Sequence, residues 1–169
     1  MTIFKHPIIE HIPSLRRYAR ALLGGRAEDA DDLVQDTLER AYAKWHLWNV
    51  GAKLRPWLFS IMHNLFINQV VLLKNRAAHV SLDDAMELSV IANPGARLEA
   101  MELVHAVSRL PESSRTVLLL VTLEDFSYAD TAKILDIPIG TVMSRLARAR
   151  QQLRNMLSDT PQVELKVMK

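Results

Sequence analysis

The chain has 169 residues and a net charge of +2, is 49% apolar and 24% charged, and contains no cysteine, which fits one ordinary globular domain or two small ones. Without cysteine there is neither a disulfide framework nor a thiolate metal site, and the six histidines show no ligand spacing such as HExxH, so no metal and no cofactor is expected. The opening MTIFKHPIIEHIPSLRR lacks the basic flank, continuous apolar core and small-residue cleavage site of a secretory signal, so the expected compartment is the reducing cytoplasm.

In chain order, Ile8, Ile9, Ile12, Leu15, Ala19 and Leu22 recur at helical spacing and are followed by the helix-ending pair Gly24 and Gly25. The next segment, RAEDADDLVQDTLER, gathers Glu28, Asp29, Asp31, Asp32, Asp36 and Glu39 against Arg26 and Arg40. Such a segment suits a positively charged partner, although acids also favour a helix N-terminus for local reasons. Leu33, Val34, Leu38, Ala41, Tyr42 and Trp45 supply its apolar stripe.

The third segment, RPWLFSIMHNLFINQVVLLKNR, approaches the roughly 20 apolar residues that span a bilayer, but Ser60, His63, Asn64, Asn68 and Gln69 interrupt it. At about 100° per residue, Leu58, Ile61, Met62, Leu65, Phe66, Leu72 and Leu73 share one side, and Ser60, His63, Asn64, Asn68 and Lys74 the other. The pattern predicts an amphipathic helix and no membrane insertion. Gln69 falls on the apolar side, against the scheme. Trp57, Ile67 and Val71 on or beside the polar arc suggest contact with something flat and hydrogen-bonding, while a helix packed on two sides with satisfied amides accounts for the same residues.

Residues 77 to 97 lose periodicity and read as a linker ending in an Asn-Pro-Gly turn. Beyond it, Leu98, Met101, Val104 and Val107 mark a helix, and Pro111 starts another. In SYADTAKILDIPIGTVMSRLARARQQL, Ser127 and Asp130 form a capping-box-like start, Asp136-Ile137-Pro138 makes a turn, and Thr141 opens a helix with Val142 and Leu146 inward. That is a helix-turn-helix pattern. Its second helix holds Arg145, Arg148, Arg150 and Arg154 without an acid, as a helix facing phosphate would, although arginines on a solvated face give the same pattern. The expected fold is all-α: two small helical domains, 1–76 and 98–169, joined by the 77–97 linker.

The order of DADDLVQDTLERAY, RPWLFSIMHNLFIN, a linker and LPESSRTVLLLVTLEDFSYADTAKILDIPIGTVMSRLARARQQLR resembles the bacterial extracytoplasmic-function sigma factors of the sigma-70 family, from about residue 10 to residue 154. The resemblance implies a promoter-specificity subunit that binds core RNA polymerase and promoter DNA, catalyses no bond chemistry and is held by an anti-sigma factor. It implies that Asp32, Leu33, Gln35 and Asp36 dock on the polymerase clamp, Leu33 supplying exposed apolar contact. It implies that the domain over 1–76 meets the opened −10 strand, with Asn64 near a flipped base. Ser60, His63 and Asn68 extend that surface, and Lys53, Arg55, Lys74 and Arg76 lie along the phosphates. Trp57 either stacks on a base or belongs to the core. In the second domain, Ser144 and Arg148 match −35 base-contact positions beside Thr141, Met143 and Ala147, with Arg145, Arg150 and Arg154 nearer the backbone. A self-sufficient helix-turn-helix regulator is the alternative, but it leaves DDLVQD and the polar WLFSIMHN face without a purpose.

Overall fold

The computed structural model describes residues 6–48, 51–76 and 94–159. A 3-10 turn, Pro7–His11, leads into α1 (Ile12–Leu22). Proline is tolerated in both first turns because the amide it lacks has no intrahelical partner there. The helix stops at Gly24 and Gly25, whose φ angles of 68° and 85° are disfavoured for a residue with a Cβ, and the Gly25 amide closes on the Arg20 carbonyl at 2.8 Å. After this reversal α2 (Ala27–Ala43) runs back with Glu28 and Asp29 in its first turn, where negative charge offsets the helix dipole.

The third helix, α3 (Leu54–Arg76), buries Leu58, Phe59, Ile61, Met62 and Phe66, packing along α2 and meeting Tyr18 of α1 at Phe59. By length and composition Leu54–Asn75 could cross a bilayer, yet Leu58, Phe59 and Met62 are fully enclosed by protein. The inward arc does not continue to the end of the helix. Leu72 and Leu73, expected to face the core, are 59% and 58% exposed; periodicity specifies the side of a helix but not how far its neighbours extend along it. Ile9 and Tyr42 likewise fall in inward stripes and emerge exposed, while Ile67, expected on the outer surface, is partly buried against the core.

In the second half, α4 (Pro94–Ser108) and α5 (Glu112–Thr122) precede α6 (Tyr128–Leu135) and α7 (Ile139–Ser158). Helix α4 begins at Pro94, so residues 94–97 of the expected linker are helical, proline serving as a first-turn residue rather than as part of a turn; residues 77–93 lie outside the described residues. Leu98, read as part of the buried stripe, is 60% exposed. The Ser127 hydroxyl accepts the Asp130 amide at 3.0 Å and caps α6. Asp136 ends that helix in the left-handed region, φ 53°, with the Ile137 amide bonded to the Ala132 carbonyl, and aspartate enters that region more readily than most residues. Helix α7 starts two residues before Thr141, at Ile139, with Pro138 as its N-cap. Val142, Leu146 and Ala149 point inward against α5 and α6.

The two halves share one core. Helix α3 lies along α6, and α1 packs on α5 and α4. Phe59 meets Phe126 edge-on with ring centroids 5.0 Å apart, and Tyr18 contacts Phe59 at 5.3 Å, geometries favoured by the aromatic quadrupole. Among the described residues there is no β-strand.

Candidate nucleic-acid and partner interfaces

On α2, side chains three and four apart fall on one face, and Asp32, Gln35 and Asp36 are all exposed there. The Gln35 amide donates to Glu39 at 3.1 Å, and Arg16 of α1 pairs with Asp31 at 3.2 Å. Leu33 departs from its expected place: it is 0% exposed. One residue from Asp32 is a rotation of about 100°, which turns Leu33 into the core beside Val34, so it holds α2 in place instead of offering apolar surface.

The polar face of α3 is covered in part by the second half of the chain. Lys53 reaches Asp130 of α6 at 3.4 Å, and Lys74 reaches Glu112 of α5 at 3.1 Å. Arg55 is held more firmly. Its Nη2 donates to the Glu124 carboxylate at 2.7 Å and to the Glu124 main-chain carbonyl at 2.8 Å, and its guanidinium lies over the rings of Phe126 and Phe59 at 4.2 and 5.3 Å. These three cations, expected along DNA phosphate, all have carboxylate partners within the molecule. The Arg76 side chain lies outside the described residues.

Glu124 follows the apolar run of α5 and its side chain is wholly buried. Arg17 of α1 completes its coordination, donating from Nε to Oε1 at 2.9 Å and from Nη2 to Oε2 at 2.8 Å. This bidentate fork matches the planes of the two groups and holds the Arg17 guanidinium above its ordinary pKa. Burial, with the Glu124 carboxylate second, pushes the Tyr18 phenol up as well.

Of the other α3 residues, Asn64 and Asn68 are exposed. The Ser60 hydroxyl donates to the Trp57 carbonyl of its own helix at 2.7 Å. Trp57 is partly buried, packed against the core and edge-on to Trp45 at 6.3 Å. Lys53, Pro56, Trp57 and Ser60 form one wall of a groove whose other wall is Asp130, Lys133 and Ile134. His63 is half-buried; burial and, second, the charge of Arg145 on α7 lower its pKa from 6.5 to about 4. Its buried Nδ1 has no hydrogen-bond partner among the described residues.

On α7, Met143, Ser144, Ala147, Arg148, Arg150 and Arg154 are exposed, while Thr141 and Arg145 are half-buried. Arg154 donates to Gln151 at 3.1 Å, and the Ser144 hydroxyl donates to the Thr141 carbonyl at 3.1 Å. The helix thus presents Met143, Ser144, Ala147 and Arg148 as a row on the side away from Val142 and Leu146, with Arg150 and Arg154 farther along and toward one edge of it.

Glu124, Arg17 and Phe126 were not singled out by sequence. A carboxylate directly after the apolar run ending at Leu123, with Phe126 two residues on, was the available signal, because a buried charge requires a partner. Its partners lie 107 and 69 positions away.

The chain matches two family models, the Sigma2 domain of PhyR over residues 8–63 and Sigma-70 region 4 over residues 100–153. It is 40% identical to ECF RNA polymerase sigma factor EcfG of Rhodopseudomonas palustris (strain TIE-1), covering 89% of this chain and 82% of that protein. Against ECF RNA polymerase sigma factor SigM of Mycobacterium tuberculosis (strain ATCC 25618 / H37Rv) the identity is 34%, covering 87% and 73%. The solved complex of sigma factor RpoE with the anti-sigma factor NepR from Bartonella quintana contains a chain of the same fold, with a TM-score of 0.81, 30% identity and coverage of 95% of this chain and 99% of that one. Two helical units in this order, the second a helix-turn-helix, define a sigma-70-type transcription factor. The chain belongs to the extracytoplasmic-function (ECF) RNA polymerase sigma factors.

Proposed function

We propose that the first half, over 1–76, docks core polymerase through Asp32, Gln35 and Asp36 and receives the opened −10 strand on α3, while the half over 98–169 reads the −35 element through the start of α7. The observation that carries this reading is the placement of Met143, Ser144, Ala147 and Arg148 as one exposed row on the helix that follows the left-handed turn at Asp136. In a helix-turn-helix that row faces base edges in the major groove. The acids of α2 lie on a different element and favour a basic partner, steering encounter as well as register. On α3, the exposed amides of Asn64 and Asn68 provide donors and acceptors for an unstacked base.

The protein acts in the cytoplasm as a polymerase subunit and performs no bond chemistry. An anti-sigma factor regulates it; the sigma factor RpoE from Bartonella quintana, similar in fold, is bound to one. Mixing the purified protein with core polymerase tests the assignment. A stable complex that initiates from a promoter absent from the housekeeping set supports it, and DNA binding without any polymerase complex points instead to a self-sufficient regulator.

A further inference from the structure

We infer that Glu124 is an internal latch: its carboxylate stands in for backbone phosphate at Arg55 and closes the helix-turn-helix half over the strand-binding face of α3. The inference rests on the reading of α3 given above. Arg55 projects from the first turn of α3, where a positive charge would meet a passing phosphate, and here both of its short contacts are to oxygens of Glu124. Arg17 holds the second carboxylate oxygen from a different helix of the same half. Thus one anion from the segment between α5 and α6 gathers two cations from the other half of the molecule.

The geometry distinguishes this contact from the other two cross-half ion pairs. The Lys53 and Lys74 side chains are 77% and 66% exposed, so water and salt compete with both pairs. The Glu124 side chain is fully enclosed, and the Arg55 guanidinium lies against the edge-on pair that Phe59 and Phe126 form across the two halves. A buried carboxylate without its arginines is strongly disfavoured. Separation of the halves therefore requires Glu124 to become hydrated, and that cost is offset when Arg55 finds phosphate. While the latch is shut, α6 forms one wall of the groove along Lys53, Trp57 and Ser60 and narrows the start of the strand-binding face, leaving Asn64 and Asn68 exposed beyond it. Closure and strand binding thus compete for the same guanidinium.

Because the chain has no cysteine, Glu28→Cys on α2 and Asn155→Cys on α7 provide two unique positions for a fluorophore pair in the full-length protein. Single-molecule energy transfer then reports how often the halves separate. Glu124→Gln removes the charge and places an NH2 donor against guanidinium donors; the open fraction is expected to rise at least tenfold. Arg17→Gln, at a half-exposed position, is expected to shift the distribution the same way by a smaller factor. Distance distributions unchanged from the parent in both variants overturn the latch. If Glu124→Gln loses its helical circular dichroism, Arg17→Gln decides alone, and an unchanged distribution overturns the proposal equally. A pool of single-stranded DNA randomised over the −10 positions separates the latch from the reading beneath it. Tighter binding by the opened variant supports both. Opening without any gain in strand affinity retains the latch and removes α3 as the strand surface.

Discussion

Lys53, in the turn before α3, stands 3.4 Å from the carboxylate of Asp130 in the first turn of α6, joining the beginning of α3 in one half to the beginning of the other half's helix-turn-helix. The lysine is 77% exposed, and an exposed pair of this kind contributes about 0–1 kcal/mol. Lys53→Ala should therefore leave thermal stability and domain separation almost unchanged. Its effect should appear in DNA affinity, as a flatter dependence of binding on salt. A large change in domain separation for this variant would show that the exposed pair contributes more than its geometry allows.

Leu33 and Asp32 are adjacent, and their substitutions should have unlike consequences. Leu33→Ala empties a fully buried position and should cost about 2–5 kcal/mol of stability, seen as a lowered unfolding midpoint. Asp32→Ala combined with Gln35→Ala alters exposed side chains and should change stability by no more than about 0.5 kcal/mol per site. That double variant should instead lose affinity for core polymerase, measured by titration at constant salt. Normal polymerase affinity would remove this face of α2 from the docking surface.

Acidification should destabilise the closed molecule through its half-buried imidazole at His63. His63 is kept neutral by burial and by Arg145, its pKa falling from 6.5 to about 4. The unfolded or opened chain therefore binds a proton below about pH 6.5 that the closed form refuses until about pH 4. The contribution is constant above neutrality and is lost as pH falls through that window, by roughly 2 kcal/mol at pH 5 for a shift of this size. His11, lowered by burial and by Arg55, acts in the same direction. Denaturant titrations at pH 7 and pH 5 should show the loss, and His63→Gln should remove most of the difference. Equal pH sensitivity in the two proteins would place the effect elsewhere.

On α7, Arg148 and Arg150 are both exposed but emerge about 200° apart around the helix. If Arg148 is bidentate to a guanine, Arg148→Ala should cost about 1–3 kcal/mol and relax preference at one −35 position. Arg150→Ala should weaken all sequences nearly alike and reduce the salt slope. Selection from a randomised promoter library measures both; the reverse outcome would mean that the other side of the helix enters the groove.

What the sequence alone determined is what nearest neighbours along the chain can decide. The stops at Gly24 and Gly25, the Ser127 cap, the left-handed Asp136 and the inward pair Val142 and Leu146 depend on residues within a turn or two of one another, and all are present in the structure. The basic, acid-free second helix was equally visible, since charge along a helix is a local property. Tertiary structure decided the rest. Leu33 and Val34 lie on one broad apolar arc, and only the position of the other helices shows that both are buried. Leu72 and Leu73 continue the α3 pattern past the point where packing stops. Arg55 carries the same charge whether it meets DNA or Glu124, and its partner is set by how two halves joined through a long connection fold onto each other. Periodicity carries no information about that docking. The enclosed carboxylate, its two arginines and the aromatic rings around them exist as a site only once α1, α3 and the segment between α5 and α6 have been brought together and water has been excluded from between them.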